Sequence, residues 1–481
     1  MRPTSTRKNV ARFGLLLAAI STVWAQEGAA VPQQQGAAAA SYSCDPNVCQ
    51  IANGCHCASK DPPGGLSPKD TPQFVTITFD DSIQPTLAKT AYDLLNVSNP
   101  NGCSARGTWF VSMQYTDFSL VQQWSAAGHE VADHTFSHVG RPSEQEIASC
   151  RSMLNTYGGI PNNKIQGFRA PFLNYTSETL TTLKKLGISY DSSASAIPSD
   201  AYWPYTLDYG MANDCWTGIC GAKVPGLWEI PMYAVPDANG IPQLMDVYMS
   251  GEPQDMHKWS MDAFNTHYSG TRQPFGIYIH PTHLTSYPGL PDPKPKVDGL
   301  IAFIKEIAQK PDVWLVTNQQ LLQWMKNPVK ASELAKQDYM RCQAPVINKE
   351  ICNGLDDDGN KEIDENLPNS CNFGTTTFKT CFNCPSTAPT LEKPTPPPAV
   401  QNGTQGYRYD LPDNCDTVWW DPIGNQCLCS SATCQYKDTA VAVMPAGDKD
   451  VNGQGHGNTA ALLTPAAAIV PLTIAVAARL L

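Results

Sequence analysis

The sequence predicts an α/β fold in which parallel strands, arranged as a sheet or barrel, alternate with helices. Apolar strand patterns alternate with helical patterns from about residue 43 to residue 330. In SETLTTLKKLGISYDSS, a helix with Leu180, Leu183 and Leu186 on one face leads into a strand that ends at Asp191. The segment DGLIAFIKEIAQKPDVWLVTNQQLLQWM predicts a closing helix, strand and helix. Because active sites of such folds lie at the carboxyl ends of strands, strand-terminal acids and histidines are the candidate site residues.

The length and charge of the chain limit its architecture and its partners. A chain of 481 residues has room for one large domain with smaller attachments. It contains 33 Lys and Arg against 44 Asp and Glu, a formal net charge of −11. Nucleic acid and anionic membrane surfaces require a positive face, so this charge argues against both and favours neutral or cationic partners.

Seventeen cysteines, several at short spacings as in CDPNVCQIANGCHC, are more than a reduced compartment normally retains. A zinc cluster is one explanation. The N-terminus favours another, because MRPTSTRKNVARFGLLLAAISTVWAQ has the basic, apolar and small-residue order of a secretory signal, with cleavage after Ala25. The odd count predicts at least one cysteine that is free or paired between chains. Three acceptor sequons, at Asn96, Asn174 and Asn402, agree with the secretory route.

The chain divides by composition into eight segments. A catalytic-type domain with an N-terminal Cys-rich cap is expected at 43–330, preceded by the signal peptide 1–25 and an Ala/Gln-rich segment 26–42. The C-terminal segments are a Cys-rich stretch at 331–385, an extended Pro-rich linker at 386–410, a small Cys-rich module at 411–436, a spacer at 437–457 and an apolar tail at 458–481.

The apolar tail has two interpretations. A membrane span is one, but Pro465, Pro471 and the high alanine content favour the removable signal of a lipid (GPI) anchor. The attachment site would be a small residue between Asn452 and Gly457. We therefore expect a secreted protein held at the outer face of the plasma membrane or in the cell wall.

Two accessory features carry open alternatives. EICNGLDDDGNKEIDENL presents oxygen ligands at Asp356, Asp358, Asn360 and Asp364, a shortened calcium-loop pattern that an acidic turn would explain equally well. In the module near Cys415, Trp419 and Trp420 could stack on carbohydrate, but we favour a core role because so small a module needs its tryptophans to fold.

The apolar run VTITFDDSIQ ends in two adjacent carboxylates, Asp80 and Asp81. Each carboxylate raises the cost of ionising the other. A bound cation would remove that penalty, with one aspartate as a ligand and its neighbour as a base. The residues alone do not decide which of the two would bind the metal.

The segment GHEVADHTFSH places His134 and His138 four residues apart. On a helix or helical turn this spacing puts both imidazoles on one face, within reach of one ion. A solvated helical face is the alternative. His129 and Glu130 do not begin an H-E-x-x-H helix, because the next histidine is five residues beyond His129.

Two further segments add single candidates. In FRAPF, Arg169 beside a proline-fixed turn can hold a carboxylate, and in IYIHPTHL, His280 ends an apolar strand as a general acid would. His283 is a competing histidine. A core-paired arginine and a packed histidine are the alternatives.

In this order, TFDD, HTFSH, RAPF, DSSAS and IYIH resemble the five motifs of the polysaccharide deacetylases, carbohydrate esterase family 4. The resemblance spans roughly Thr71 to Met325. CDPNVCQIANGCHCAS, YWPYTLDYG, PGLWEIPMY and QPFGIYIH look like the chitin deacetylases in particular. The resemblance implies an incomplete, distorted (β/α) barrel and the metal-dependent removal of acetyl groups from chitin.

The resemblance also implies roles for individual residues. Asp80 would be the base, oriented by Arg169, and Asp191 would pair with the catalytic His280. The metal, zinc with cobalt as a substitute, would be held by Asp81, His134 and His138.

Three residues would contact the substrate. The backbone N–H of Phe172 matches the donor to the oxyanion, Trp203 would wall the acetyl pocket, and Tyr278 stands where the family commonly has leucine.

Three functions follow as hypotheses. The first is a secreted chitin deacetylase that releases acetate. The second keeps the chemistry but acts on peptidoglycan or acetylated xylan. The third is a non-catalytic carbohydrate-binding wall protein. It is the weakest hypothesis, because every candidate metal and acid/base position is filled.

Overall fold

Short strands and helices alternate along the chain. The computed structural model describes residues 54–236, 240–246, 255–342, 368–404, 407–412, 415, 420–422 and 426–427. The strands are β1 (Gln73–Asp80), β2 (Thr108–Val111), β3 (Glu130–Asp133), β4 (Gly167–Phe168), β5 (Tyr190–Asp191), β6 (Ser195–Ala196), β7 (Tyr205–Leu207), β8 (Val224–Glu229), β9 (Met232–Tyr233), β10 (Val235–Pro236), β11 (Pro242–Gln243), β12 (Phe275–Ile279), β13 (Val313–Leu315), β14 (Asn369–Asn372), β15 (Thr377–Thr380), β16 (Trp420–Asp421) and β17 (Gln426–Cys427). The helices are α1 (Pro85–Leu94), α2 (Phe118–Ala126), α3 (Glu144–Thr156), α4 (Ser177–Lys185), α5 (Met256–Tyr268), α6 (Lys294–Ile307), α7 (Asn318–Lys326) and α8 (Ala331–Leu334).

Nine of these strands form one curved sheet. Its order is β12-β1-β2-β3-β4-β5-β8-β7, and β13 pairs with the first residues of β1. Every pairing in this sheet is parallel except that of β7 with β8. The end strands β12 and β7 do not pair with each other among the described residues. The sheet is thus an incomplete barrel of βα units, and the predicted fold class is confirmed.

Strand β1 lies inside the sheet, and its sequence, QFVTITFD, is buried along its full length. A strand covered on both faces has a nearly continuous apolar pattern, as parallel sheets require. Its residues Phe74 to Phe79 pair with β12, β13 and β2 on its two edges. Asp80, the last residue of β1, pairs with Phe110 of β2 and so lies at the carboxyl edge of the sheet.

The helices begin at residues whose side chains satisfy free backbone N–H groups. Asp117, Ser143, Thr176 and Thr317 each accept a hydrogen bond from the first turn of α2, α3, α4 and α7 respectively. The predicted helix before Asp191 is α4, and its Leu180 and Leu183 are fully buried. The predicted closing helix, strand and helix are α6, β13 and α7.

The Cys-rich segment after residue 330 is packed against the barrel. A disulfide joins Cys103 to Cys342, and another joins Cys371 to Cys384 across the base of the β14–β15 hairpin. In that hairpin, Phe378 packs against Phe118 and Tyr157, with ring centroids 5.4 and 5.1 Å apart. Among the described cysteines, Cys150 is free and buried, in agreement with the odd count.

The Pro-rich stretch does not form the extended linker that its composition predicts. It folds back, because Ser386 N donates to Pro397 O at 2.7 Å and Ala399 N donates to Cys384 O at 2.8 Å. Proline lacks an N–H but its carbonyl still accepts hydrogen bonds, which is why such a stretch can close into a loop. Leu391 O, at its tip, accepts from Gln145 and Ser149 of α3.

Several predicted segments lie outside the described residues. They are the signal peptide, the Ala/Gln-rich segment, the calcium-type loop with Asp356, Asp358, Asn360 and Asp364, the spacer and the apolar tail. Of the tryptophan pair, Trp420 is described and is buried, consistent with a core role. Within the described part of the chain, no helix is both long and apolar enough to cross a membrane.

Candidate active site

The two aspartates at the end of β1 face different partners. Successive strand side chains point to opposite faces, so neighbouring residues reach one site only where the strand ends between them. Asp81 has a φ of 77°, in the left-handed region, and so breaks the alternation after Asp80. Its carbonyl accepts from Trp109 Nε1 at 3.0 Å and from Ser112 N at 3.4 Å. These bonds hold both carboxylates at the carboxyl edge of the sheet.

Asp81, His134 and His138 lie together, with one ligand atom from each within 4.8 Å of the other two. Asp81 Oδ1 is 3.0 Å from His138 Nε2 and 3.7 Å from His134 Nε2. This oxygen is buried between the two imidazoles. His134 Nδ1 lies 2.8 Å from Arg169 O, which as acceptor fixes the tautomer and leaves Nε2 free to bind. One carboxylate oxygen and two imidazole nitrogens fit a divalent cation.

The protonation of this cluster also suits metal binding, which requires deprotonated ligands. Burial alone would raise the pKa of Asp81, but the hydrogen bond from His138 and the charges of His134 and His280 outweigh it and lower the pKa. Burial is the main cause that lowers the pKa of His134.

The segment from His134 to His138 is not the helical turn that the spacing predicts. It is a bend with positive φ values of 68° at Thr135 and 53° at His138. Asp133 Oδ1 accepts from Thr135 N at 2.9 Å, and Glu146 of α3 accepts from Ser137 N at 2.8 Å. The two imidazoles still converge, with ring centroids 5.1 Å apart. His129, at the opposite end of β3, stacks on Trp124, which confirms that it belongs to no zincin helix.

Arg169 connects Asp80 to the rest of the site. Its Nη1 donates to Asp80 Oδ1 at 2.7 Å and to Thr78 Oγ1 at 2.9 Å, while Nε donates to Ser192 O at 2.8 Å. The guanidinium is fully buried and lies 4.1 Å from the ring centroid of Phe110. A buried carboxylate needs such a paired charge. The predicted pairing of Arg169 with the candidate base is therefore present in the structure.

The aspartate that contacts His280 is Asp246, not the predicted Asp191. His280 Nδ1 lies 2.6 Å from Asp246 Oδ2, and His280 N donates to Asp246 Oδ1 at 2.8 Å. Asp246 N in turn donates to Tyr278 O at 3.0 Å. Sequence reasoning missed Asp246 because a lone acid in PQLMDVYM, 34 residues before His280, carries no motif of its own.

This pair sets the charge of His280. Burial lowers the pKa of His280, but the hydrogen bond with Asp246 and the nearby Asp80, Asp246 and Asp81 charges raise it to about 9. His283 Nδ1 also lies near Asp246 Oδ2, at 3.1 Å, but the His283 side chain is more exposed. Asp246 therefore contacts His280 more closely than it contacts His283.

Asp191 lies at the end of β5, where its carboxylate accepts hydrogen bonds from Ser193. Ser193 N and Oγ donate to Asp191 at 3.1 and 2.7 Å, and the carboxyl of Glu229 forms a further hydrogen bond. Burial raises the pKa of Asp191 to about 6, and burial with the Asp191 charge raises the pKa of Glu229 well above its usual value. The shared proton therefore resides on Glu229, a residue that sequence reasoning missed. Asp191 organises the motif around Arg169 rather than orienting His280.

Phe172 is the one predicted substrate residue that reaches the surface. Its side chain is 74% exposed, its φ is 58°, and its ring centroid lies 4.8 Å from that of His138. It therefore lies beside the candidate metal ligands.

The other two predicted substrate residues are buried. Tyr278 accepts from Tyr233 N at 2.9 Å, and its hydroxyl fills the space that a Cβ at Gly276 would need. Trp203 is fully buried against Trp324, with centroids 5.5 Å apart, in a core cluster with Trp228 and Trp314. The expectation that Trp203 walls an open acetyl pocket is wrong, because tertiary packing takes its whole surface.

The three predicted glycosylation sites, Asn96, Asn174 and Asn402, are exposed. Asn174 lies two residues after Phe172, and its Oδ1 accepts from Arg141 Nε at 3.1 Å.

Comparison with known proteins gives consistent similarities. The family model described as polysaccharide deacetylase matches residues 67–190. Chitin deacetylase 8 of Bombyx mori is 30% identical over 332 residues, covering 65% of this chain and 85% of the relative. Chitin deacetylase 1 of Bombyx mori is 28% identical over 389 residues, covering 73% of this chain and 68% of the relative. Among solved structures, the peptidoglycan deacetylase PdaC from Bacillus subtilis is 16% identical, with 56% of this chain and 99% of that chain covered and a TM-score of 0.30.

Proposed function

The chain belongs to the polysaccharide deacetylase family, and from this membership we propose that it hydrolyses the N-acetyl groups of chitin to give acetate and glucosamine units. The observation that carries the proposal is that three chemical groups converge at one edge of the sheet. They are a metal-ligand set, a carboxylate held by Arg169, and an imidazole held by Asp246. Together these are the groups that hydrolysis of an amide requires.

Asp80 is proposed as the general base. Its Oδ1 is held by Arg169, and its Oδ2 lies 3.9 Å from His134 Nε2, at the edge of the candidate metal site. A carboxylate fixed in this way can take a proton from a water molecule that attacks the acetyl carbonyl. We assign the backbone N–H of Phe172 to the oxygen of that carbonyl, where negative charge develops.

His280 is proposed as the general acid. With its pKa raised to about 9, it is mostly protonated at neutral pH. Asp246 holds Nδ1 and leaves Nε2 free to donate a proton to the departing amine nitrogen. The balance is one amide and one water consumed, and one acetate and one amine formed.

We propose that Asp81, His134 and His138 hold a divalent metal, and that this metal is zinc, because two imidazoles and one carboxylate form a donor set that suits it. When bound, such an ion supplies Lewis-acid polarisation of the carbonyl and lowers the pKa of water.

Chitin is proposed as the polymer because both Bombyx mori relatives are named for it. The alternatives are peptidoglycan and acetylated xylan. Acetate release measured on all three polymers distinguishes them, since chitin should give the highest kcat/KM.

A secreted location is proposed from the disulfides, because bonds such as Cys103–Cys342 and Cys371–Cys384 persist in oxidising compartments. We further propose lipid anchoring through the C-terminal tail. Phosphatidylinositol-specific phospholipase C should then release the protein from intact cells, and retention after treatment would contradict the anchor.

The central test is acetate release from chitin oligomers by the purified protein, before and after chelation and with zinc added back. Asp80→Asn, which keeps the shape of the side chain, should remove release while leaving the fold intact. Acetate release that persists both after chelation and in Asp80→Asn would contradict the proposed chemistry. Sugar binding without any release would instead indicate the non-catalytic carbohydrate-binding role.

A further inference from the structure

Asp246, His280 and His283 form a second cluster of potential metal ligands, which shares no residue with the candidate metal site. One ligand atom from each residue lies within 4.8 Å of the other two, and two such groups occur in the part of the chain that the structure describes. A single carboxylate oxygen, Asp246 Oδ2, lies 2.6 Å from His280 Nδ1 and 3.1 Å from His283 Nδ1. Both ring nitrogens therefore lie beside the same oxygen.

A short 3₁₀ turn, Pro281–Leu284, brings the two histidines together. His280 is the residue before the turn, and His283 N donates to His280 O at 3.0 Å. Side chains three residues apart are eclipsed on a 3₁₀ turn, so the two imidazoles lie on one side of it. Their ring centroids are 5.7 Å apart. The spacing in HPTH therefore suits two histidine ligands of one ion.

The backbone of Asp246 fixes its carboxylate opposite this turn. Asp246 N donates to Tyr278 O at 3.0 Å, and the preceding residue, Met245, forms a β-bridge with Tyr278. The other carboxylate oxygen, Oδ1, accepts from His280 N at 2.8 Å. Oδ2 is thus held beside both imidazoles. A ligand set that is held in place in advance loses little conformational freedom when it binds an ion.

The geometry of this cluster resembles that of the candidate metal site. In that site, Asp81 Oδ1 lies 3.0 and 3.7 Å from the Nε2 atoms of His138 and His134, whose ring centroids are 5.1 Å apart. Each cluster thus offers one carboxylate oxygen and two imidazole nitrogens. This donor set suits zinc.

Two features should make the second cluster the weaker zinc site. The 2.6 Å contact between His280 Nδ1 and Asp246 Oδ2 is a hydrogen bond, so an ion at Nδ1 must displace the proton between them. The His283 side chain is 57% exposed, whereas His134 of the first site is buried. An exposed side chain loses more rotamer freedom when it becomes a ligand. We therefore expect the second cluster to fill only at zinc concentrations well above those that fill the first.

We propose that Asp246, His280 and His283 bind a second zinc ion, and that this ion inhibits the enzyme. The inhibition rests on the proposed function, in which His280 is the general acid. Zinc at Nδ1 displaces one proton to solvent and leaves His280 as a neutral, metal-bound imidazole. Its Nε2 then carries the only ring proton, which a neutral imidazole gives up far less readily than an imidazolium does. Excess zinc should therefore slow the departure of the amine.

The first test counts the zinc ions on the wild-type protein by native mass spectrometry. With zinc equimolar to protein we expect one ion, and with zinc in large excess we expect two. His283→Gln should raise Kd for the second ion by at least about tenfold, because loss of even an outer partner of a ligand costs about 10–100-fold. His257→Gln, at a partly exposed histidine paired with Glu306, is the matched control and should bind both ions. An unchanged Kd for the second ion in His283→Gln would overturn the site.

His138→Ala allows the second cluster to be measured alone, because it removes a ligand of the first site. With equimolar zinc this variant should carry no ion, and with excess zinc it should carry one. Adding His283→Gln should remove that ion. Zinc that remains on the double variant in the same excess would be adventitious and would count against the second site.

The second test compares kcat on chitin oligomers in excess zinc with kcat at equimolar zinc. Taking this ratio within each variant cancels any effect of the substitution on the basal rate. The ratio should fall at least about tenfold in the wild-type protein and in His257→Gln, because general acid–base catalysis contributes about 10²–10⁴-fold. His283→Gln should lose most of this inhibition. Magnesium, which prefers oxygen ligands, should not inhibit. Equal inhibition by zinc in the wild-type protein and in His283→Gln would refute the proposal.

The outcome for the second site is separable from the outcome for the activity. If the wild-type protein releases no acetate at any zinc concentration, the proposed function fails, while the zinc counts still decide whether the second site exists. If acetate release requires the first ion, and excess zinc neither binds nor inhibits, the proposed function stands and the second site is refuted.

Discussion

His280 and Asp246 form a close pair at the carboxyl edge of the sheet, with 2.6 Å between Nδ1 and Oδ2. The pair joins the end of β12 to a segment 34 residues earlier in the chain. Its consequence is a histidine that carries a proton at neutral pH, because the interaction with Asp246 outweighs the effect of burial. The first prediction follows from this balance.

Asp246→Asn should lower the pKa of His280, because burial remains while the carboxylate charge is lost. A general acid must be protonated, so activity should fall above pH 9 in the wild-type protein and at a lower pH in the variant. At pH 8 we expect a loss in kcat of roughly a hundredfold. The pH profile of kcat provides the measurement, and His283→Gln is the control that should keep the wild-type alkaline limb. An alkaline limb at the same pH in Asp246→Asn and in the wild-type protein would contradict the assignment of His280 as the general acid.

Arg169→Met should destabilise the protein by about 3–5 kcal/mol, because it leaves the buried Asp80 carboxylate without its charged partner. Arg169→Lys keeps a positive charge but loses the fork that reaches Ser192 and Thr78, so we expect an intermediate loss. Urea denaturation gives both values. Equal stability of wild type and Arg169→Met would show that Asp80 does not depend on this pair.

Metal removal should lower Tm, and added zinc should restore it, because an ion that binds only the folded state stabilises that state. At a hundredfold excess over Kd the stabilisation is about 2.7 kcal/mol. His138→Ala should abolish this response and the bound metal measured by mass spectrometry. His257→Ala, at a partly exposed histidine of α5 that is paired with Glu306, is the matched control and should retain both.

The Asp191–Glu229 pair should make stability fall as pH rises. Since the folded pKa of Asp191 is raised to about 6, its contribution is complete below about pH 4 and is lost as the pH rises through 6. Glu229, with its pKa raised further above its usual value, extends the loss to higher pH. Glu229→Gln can still donate to Asp191 but does not ionise.

We therefore expect Glu229→Gln to gain at least about 1 kcal/mol relative to wild type between pH 5 and pH 8. Chemical denaturation at a series of pH values measures this gain. Glu178→Gln, at an exposed position on α4, should show no such trend. A constant difference between wild type and Glu229→Gln across the range would mean that the pair is already ionised in the folded protein.

The extent of sequence prediction differs between local and long-range features. The helix α4 and the strand β5 follow directly from periodicity, since Leu180 and Leu183 recur at helical spacing before a short apolar strand. The Pro-rich stretch was misjudged because its composition contains no sign of the α3 surface that accepts Leu391. The bend at Thr135 was likewise unpredictable from spacing, because two histidines four residues apart converge in either conformation.

By itself, the sequence determined the fold class, the family and the residues that gather at the strand ends. Those properties follow from local chemistry, in which apolar runs form strands and carboxylates or histidines end them. Only the tertiary structure decided which groups become partners. Asp246 rather than Asp191 contacts His280, Trp203 is buried in the core, and Phe378 of the β14–β15 hairpin packs against Phe118 and Tyr157. The physical reason is that partners far apart in the chain are brought together by packing in three dimensions. No local sequence pattern records that packing.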